Sequence, residues 1–174
     1  MKKIIITYGL IAGLITMSFM IVSTILHKVI EDSNQSMIIG FLGMFIAFIF
    51  IFVGIKKYRD KQNGGNVTFW DAFKIGFFIA LIASSIYTLV WQIEFHFFMP
   101  DFMERFATKA IKEIKSSNLS AAEINEKVAE MELMRENYKS LFLRICYTLM
   151  EILPIGIVIA LISALILKRK PKAI

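Results

Sequence analysis

The chain has 174 residues, of which 57% are hydrophobic, and its formal net charge is +6. This length suits one domain, but the apolar fraction exceeds the roughly 45–50% of soluble domains. The excess is gathered in long uncharged blocks, which excludes an ordinary globular protein. Because the basic residues cluster at the ends of those blocks, the pI of about 9.4 reflects membrane topology and argues against a nucleic-acid partner.

Four apolar blocks predict four transmembrane helices. The first, residues 4–26, can cross a hydrocarbon core of about 30 Å at about 1.5 Å per residue. A cleaved signal peptide is the alternative for this block. A signal core has roughly 7–15 residues followed by a small-residue cleavage site, whereas this block has 23 residues and no such site follows it. The next blocks cover residues 37–55 and 75–93. The fourth covers residues 145–167 and is interrupted by Glu151.

The distribution of Lys and Arg predicts that both termini lie in the cytoplasm. The short segment at 27–36 contains one basic residue, Lys28, whereas the short segment at 56–74 contains several. Those are Lys56, Lys57, Arg59, Lys61 and Lys74. The side of the membrane that is richer in short basic loops is the cytoplasmic one. Membrane lipids, including anionic headgroups near the 56–74 segment, are therefore expected partners.

Residues 94–144 are predicted to form a helical insertion on the outer side of the membrane. Asp101 with Glu104, and Ser120 with Glu123, have the spacing of capping boxes at two helix starts. A break is expected between these helices at Ser116, Ser117 and Asn118. Since nothing from Ala121 to Leu153 stops a helix, the second is expected to continue into the fourth span until Pro154 bends it.

These elements define an all-α, polytopic membrane protein. A single membrane domain is predicted over residues 1–174, with four transmembrane helices and a helical hairpin between the third and fourth. A tight cytoplasmic turn with positive φ is expected at Gly64-Gly65-Asn66.

Small residues recur at helical spacing in every span. Two interpretations are open: a seam between two copies, or packing inside the four-helix bundle, because small side chains let membrane helices approach closely. The frequency of such spacing in membrane helices favours the bundle. The residues are Gly9, Gly13, Gly40, Gly43, Gly76, Ala80, Gly156 and Ala160.

Glu151 is the ionisable residue that falls inside a predicted span. A charge at the membrane centre costs on the order of 2.5–3.5 kcal/mol and often marks the path of an ion or substrate through the membrane. Since Glu151 lies near the outer end of its span, the competing interpretation is a carboxylate at the membrane rim that reaches water. The second interpretation is favoured because depth decides the cost.

Two histidines and two carboxylates fall at the outer boundary of the spans: His27, His96, Glu94 and Glu151. Imidazole and carboxylate groups bind zinc, so this set is the candidate metal site. On a helix, however, residues two apart point about 200° apart, which separates Glu94 from His96. No cofactor and no catalytic residue is therefore predicted.

Several segments carry a resemblance to a known family. They are Gly54-Ile55-Lys56-Lys57-Tyr58-Arg59-Asp60, Gly64-Gly65, Thr68-Phe69-Trp70-Asp71-Ala72-Phe73-Lys74-Ile75-Gly76, and Pro100-Asp101-Phe102. The chain resembles, over nearly its whole length, a bacterial family of small four-span membrane proteins catalogued as a domain of unknown function (number four thousand one hundred and ninety-nine). This resemblance implies a bacterial plasma-membrane location and four spans, without implying a substrate, cofactor or catalytic residue.

Three functional hypotheses follow. The first is a non-enzymatic membrane protein whose outer hairpin binds a second copy or another membrane or periplasmic protein. The second is a small oligomeric transporter or channel component that uses Glu151. The third, a membrane-embedded metalloenzyme using His27, His96, Glu94 or Glu151, has the least support because the chain lacks a paired-histidine helix motif.

Overall fold

The computed structural model describes the backbone of residues 1–30 and 33–169 and the side chains of residues 1–26 and 38–169. This part of the chain is built from six α-helices. They are α1 Lys2–Ile30, α2 Ser33–Gln62, α3 Phe69–Phe97, α4 Phe102–Lys115, α5 Ala121–Asn137 and α6 Leu141–Leu167.

Four of these helices contain segments that are long and apolar enough to cross a membrane. The segments are Lys2–Leu26, Ile38–Gln62, Phe69–Phe97 and Leu141–Leu167. A helix is the form in which such a segment satisfies its own backbone polar groups in lipid. The prediction of an all-α fold with four membrane-spanning helices is therefore confirmed. The helices extend beyond the uncharged blocks because the charged residues that flank these blocks are also helical.

Contacts among the described residues divide the chain into two compact units: Met1–Val90 with Leu149–Ile174, and Trp91–Thr148. The first, here called the bundle unit, contains the apolar core of the four long helices. Its fully buried side chains include Phe48, Ile51, Ile55, Ile75, Ile79 and Ile152. Large apolar side chains also cover the outside of these helices, as lipid-facing helices require.

The connection between α2 and α3 is a tight turn held by side chains. Gly64 and Gly65 have φ of 60° and 81°, so the prediction of positive φ at these glycines is confirmed. At the start of α3, the Asp71 backbone N–H donates to Thr68 Oγ1 at 3.1 Å, and the Thr68 hydroxyl donates to Asp71 Oδ2 at 2.7 Å. This capping pair satisfies donors that a helix start leaves open.

A short antiparallel bridge joins this turn to the end of α6. The Val67 N–H donates to the Arg169 carbonyl at 3.0 Å, and the Arg169 N–H donates to the Val67 carbonyl at 2.8 Å. Val67 is only 1% exposed. The bridge therefore fixes one end of the bundle unit, and no pattern in the sequence predicted it.

The second unit, Trp91–Thr148, is here called the hairpin unit. Helix α4 ends at Lys115, so the predicted break at Ser116 and Ser117 is confirmed. The Ser120 box is also confirmed, because the Glu123 N–H donates to Ser120 Oγ at 3.3 Å and the Ser120 N–H donates to Glu123 Oε2 at 2.9 Å.

Two predictions for this unit were wrong. Asp101 makes no side-chain cap bond, because its backbone (φ −93°, ψ 6°) is not extended and its carboxylate instead accepts a bond from Arg105 at 3.0 Å. Helix α5 also does not continue into the fourth span. It ends at Asn137, and α6 begins four residues later, at Leu141, and continues through Pro154.

Candidate functional site

Tyr138 is the centre of an aromatic cluster in the hairpin unit. Its hydroxyl accepts a hydrogen bond from Trp91 Nε1 at 2.7 Å, and its ring meets the Phe95 ring edge-on, with centroids 5.5 Å apart. Tyr147 stacks against the other side, at 6.2 Å between centroids. Because Tyr138 is only 7% exposed, these contacts hold the turn between α5 and α6 against the end of α3.

Arg144 is buried beside this cluster. Its Nε donates to Gln92 Oε1 at 2.6 Å, and its Nη1 donates to the Tyr138 carbonyl at 3.1 Å. The guanidinium also lies 4.2 Å from the centre of the Phe95 ring. Carbonyl acceptors and a cation–π contact thus stabilise the charge. The bond to the Tyr138 carbonyl ties the turn that follows α5 to the first residues of α6.

One polar atom of this cluster has no hydrogen-bond partner in the described part of the chain. Gln92 Nε2 is buried, although its Oε1 accepts the bond from Arg144. Asn137 extends the network by donating from Nδ2 to the Tyr147 hydroxyl at 3.2 Å. The cluster joins side chains from the ends of α3 and α5 and the start of α6, which makes it a clamp that fixes the hairpin.

Helices α4 and α5 pack against each other along an apolar seam. Met103 and Ala107 of α4 are buried against residues that include Met131 and Met134 of α5. At the far end of α5, Arg135 Nη1 donates to Glu104 Oε1 at 3.1 Å. This pair joins the start of α4 to the end of α5, so the two helices run antiparallel.

The hairpin unit offers little room for a small ligand beside Tyr138. A cavity of about 130 Å³ lies among Phe95, Pro100, Met103, Glu104, Arg135, Tyr138 and Lys139. Sites for small molecules are typically about 300–1,000 Å³ and mostly apolar. The clamp and this cavity therefore suit a rigid support for a surface better than a substrate pocket.

The candidate metal residues whose side chains the structure describes do not form a ligand set. Glu94 is buried and 5% exposed, whereas His96, two residues later on α3, is exposed. Over the described residues, no three His, Cys, Asp or Glu side chains come close enough to hold a metal ion. The side chain of His27 lies outside the described residues.

Glu151 lies on the exposed surface of α6, within the segment long enough to span a membrane. An exposed carboxylate faces lipid, water or a second molecule rather than the interior of one copy. The hypothesis of a transporter that uses Glu151 therefore stays a prediction, and it requires an oligomer to enclose the carboxylate.

The small residues of the spans lie at close helix contacts in the bundle unit. A Cβ atom added to Gly76 would lie 2.8 Å from Ala160 Cβ, and one added to Gly156 would lie 2.7 Å from Ala80 Cβ. A Cβ atom added to Gly9, Gly13 or Gly43 would likewise meet Ile82, Ile86 or Phe19, whereas none of the described residues places an atom within 4 Å of a Cβ atom added to Gly40. These contacts account for the spacing by packing within one copy, and the seam between copies stays a hypothesis.

Sequence reasoning missed the clamp. Arg144 stands alone in an apolar stretch, which was a usable signal, because a charge in such a place needs a partner. The partners themselves, Gln92 and the carbonyl of Tyr138, are 52 and 6 residues away. A neutral amide and a main-chain carbonyl leave no charge pattern by which to find them.

The segments that carry the family resemblance have structural roles in the bundle unit. Gly64 and Gly65 make the turn, Thr68 and Asp71 cap α3, and Gly76 is the close contact with α6. All of these contacts are structural, which agrees with the interpretation that the resembling segments specify the architecture of the family.

No curated protein and no solved structure is significantly similar to the chain. One family does match, over residues 7–169, and its description is "Protein of unknown function (DUF4199)". Since the match covers almost the whole chain, the protein belongs to this family.

Proposed function

We propose that the protein is a non-enzymatic component of the bacterial plasma membrane whose hairpin unit binds another protein on the outer side. Four spans anchor the chain, and the hairpin supplies the binding surface. The observation that carries the proposal is that α5, 17 residues long, has no buried residue although it belongs to a compact unit. A long, ordered helix that is covered on one side only, by α4, presents its other side as a surface for a partner helix.

The clamp supports this proposal. The buried ring of Tyr138 and the buried cation of Arg144 hold the end of α5 in place. A surface that is rigid before binding loses less conformational entropy when its partner arrives. The cavity beside Tyr138, about 130 Å³, is smaller than a typical small-molecule site, which points in the same direction, towards a macromolecular partner.

The outer location rests on charge. The segment between α2 and α3 contains Lys56, Lys57, Arg59 and Lys61 close together, which is typical of a cytoplasmic loop. With an even number of spans, both termini then share that side, and the hairpin between the third and fourth spans faces outward.

Site-specific photo-crosslinking in intact cells tests the proposal. A photoreactive amino acid replaces Ala129, which is exposed on α5, in the full chain. The control replaces Phe45, which is 55% exposed on α2 and faces lipid in this account. We expect light-dependent protein adducts from position 129 and only lipid adducts from position 45. A monomer band alone at position 129, and at neighbouring exposed positions such as Leu133, would remove the proposal.

A further inference from the structure

The two helices of the hairpin carry opposite net charge. Helix α4 has four basic residues and two acidic ones, a net charge of +2. Helix α5 has two basic residues and five acidic ones, a net charge of −3. Segregation of this kind within one hairpin makes one helix the complement of the other.

The charges form one exposed stripe on each helix. On α4 the basic stripe consists of Arg105, Lys109 and Lys112, and on α5 the acidic stripe consists of Glu123, Glu126 and Glu130. A shallow groove of about 400 Å³ follows the basic stripe. With about 100° between successive residues, each stripe occupies an arc of about 60°.

Both stripes point away from the seam between α4 and α5. Arg105 and Lys109 each follow a buried seam residue by two positions, which turns them about 200° away from it. Glu126 and Glu130 follow the half-buried Ile124 and Val128 in the same way. The stripes therefore lie on opposite edges of the hairpin, where they cannot pair within one copy.

The spacing of the two stripes matches when the helices run antiparallel. Read backwards, the basic stripe has steps of three and four residues, from Lys112 to Lys109 to Arg105. Read forwards, the acidic stripe has the same steps, from Glu123 to Glu126 to Glu130. Each stripe is about 10.5 Å long at about 1.5 Å per residue.

We propose that the partner is a second copy of this chain, and that the basic stripe of one copy binds the acidic stripe of the next. This inference rests on the proposed function, since it names the partner of the same hairpin. Side-by-side repetition of the hairpin keeps the helix directions, so α4 of one copy meets α5 of its neighbour antiparallel, as these helices do within one copy. The contact is head to tail, which builds a ring or a row rather than a two-fold dimer.

The unpaired charges support this partner. Within the described chain, Lys112, Glu126 and Glu130 take part in no ion pair. Exposed ion pairs contribute only about 0–1 kcal/mol each, so their role is to set register and orientation. Apolar contact comes from Leu133, which is 62% exposed on α5 and falls opposite the partner's Phe102 when the register continues.

Crosslinking between two tagged copies of the full chain tests the arrangement. Both copies carry Cys146→Ser, which removes the single cysteine. One copy carries Arg105→Cys and the other Glu130→Cys, and a short bismaleimide is added to membranes that contain both. We expect the mixed product to exceed either product of two identical copies several-fold, and to fall at high salt.

A charge swap supplies the matched control. Lys109→Glu on the Arg105→Cys copy should lower the mixed product several-fold, and Glu126→Lys on the other copy should restore it. Restoration cannot come from a misfolded hairpin. If products of identical copies dominate, or if the swap restores nothing, the head-to-tail pairing is wrong. Adducts from position 129 to a different protein, without mixed crosslinks, would overturn this inference and leave the proposed function standing.

Discussion

The close contact between α3 and α6 offers the sharpest test of the bundle. Gly76→Ala adds one methyl group, whose carbon would lie 2.8 Å from Ala160 Cβ, 3.0 Å from Ile51 Cγ2 and 3.2 Å from Ala160 Cα. Ordinary contacts of this kind begin at about 3.4 Å, so the helices must separate by roughly 0.6 Å. A gap of about 0.5–1 Å forfeits a quarter to a half of each contact's dispersion energy, and overpacking of this size typically costs about 1–3 kcal/mol.

The assay is thermal unfolding of the purified protein in detergent, where about 1 kcal/mol corresponds to about 2–4 °C for a chain of this length. Gly40→Ala is the matched control, because it makes the same helix-propensity change where no atom of the described residues lies within 4 Å of the added carbon. The double variant with Ala160→Gly should recover part of the loss, since it moves the methyl group across the seam. The reasoning is refuted if Gly76→Ala is as stable as Gly40→Ala.

Three further predictions concern single side chains. Ser120→Ala should destabilise α5 by about 1 kcal/mol, seen as faster amide exchange. The hydrogen bonds from the Ser120 hydroxyl and N–H lower the pKa of the Glu123 carboxyl in the folded protein. The stabilisation from this cap is therefore fully present above the unfolded pKa of about 4.3 and is lost as pH falls through the lower folded pKa. Amide exchange rates in α5 that do not change with acid would contradict this. Arg144→Lys should lower the melting temperature more than the exposed Arg105→Lys, because a lysine cannot reproduce the forked contacts, and equal melting temperatures would argue against the clamp. Glu151→Gln should leave hairpin crosslinking unchanged, whereas a loss of ion flux in vesicles reconstituted with this variant would favour the transporter hypothesis instead.

The membrane-spanning elements could be predicted because one physical constraint dominates them. A long apolar block in lipid satisfies its backbone polar groups by forming a helix, so the sequence of residues 75–93 alone predicts a span. The Ser120 box was predictable for a related reason, because its partners are three residues apart. Local rules predict local structure well.

Predictions of helix ends failed where contacts with residues outside the local segment determine the structure. Asp101 had the spacing of a cap, but its backbone after Pro100 is not extended and Arg105 captures its carboxylate. The break after Asn137 follows from the contacts of Tyr138 with Trp91 and Arg144, which are 47 and 6 residues away. Helix propensity across this stretch favours continuation, and tertiary contacts override it.

The side of the membrane on which the hairpin lies is the claim that tests this account most directly. On a Cys146→Ser background, Ser117→Cys between α4 and α5 and Lys61→Cys near the end of α2 provide two exposed reporters. A membrane-impermeant maleimide applied to intact cells should label position 117 at once and position 61 only after permeabilisation. Labelling of position 61 in intact cells, or protection of position 117, would contradict a four-span protein with cytoplasmic termini and an outward hairpin.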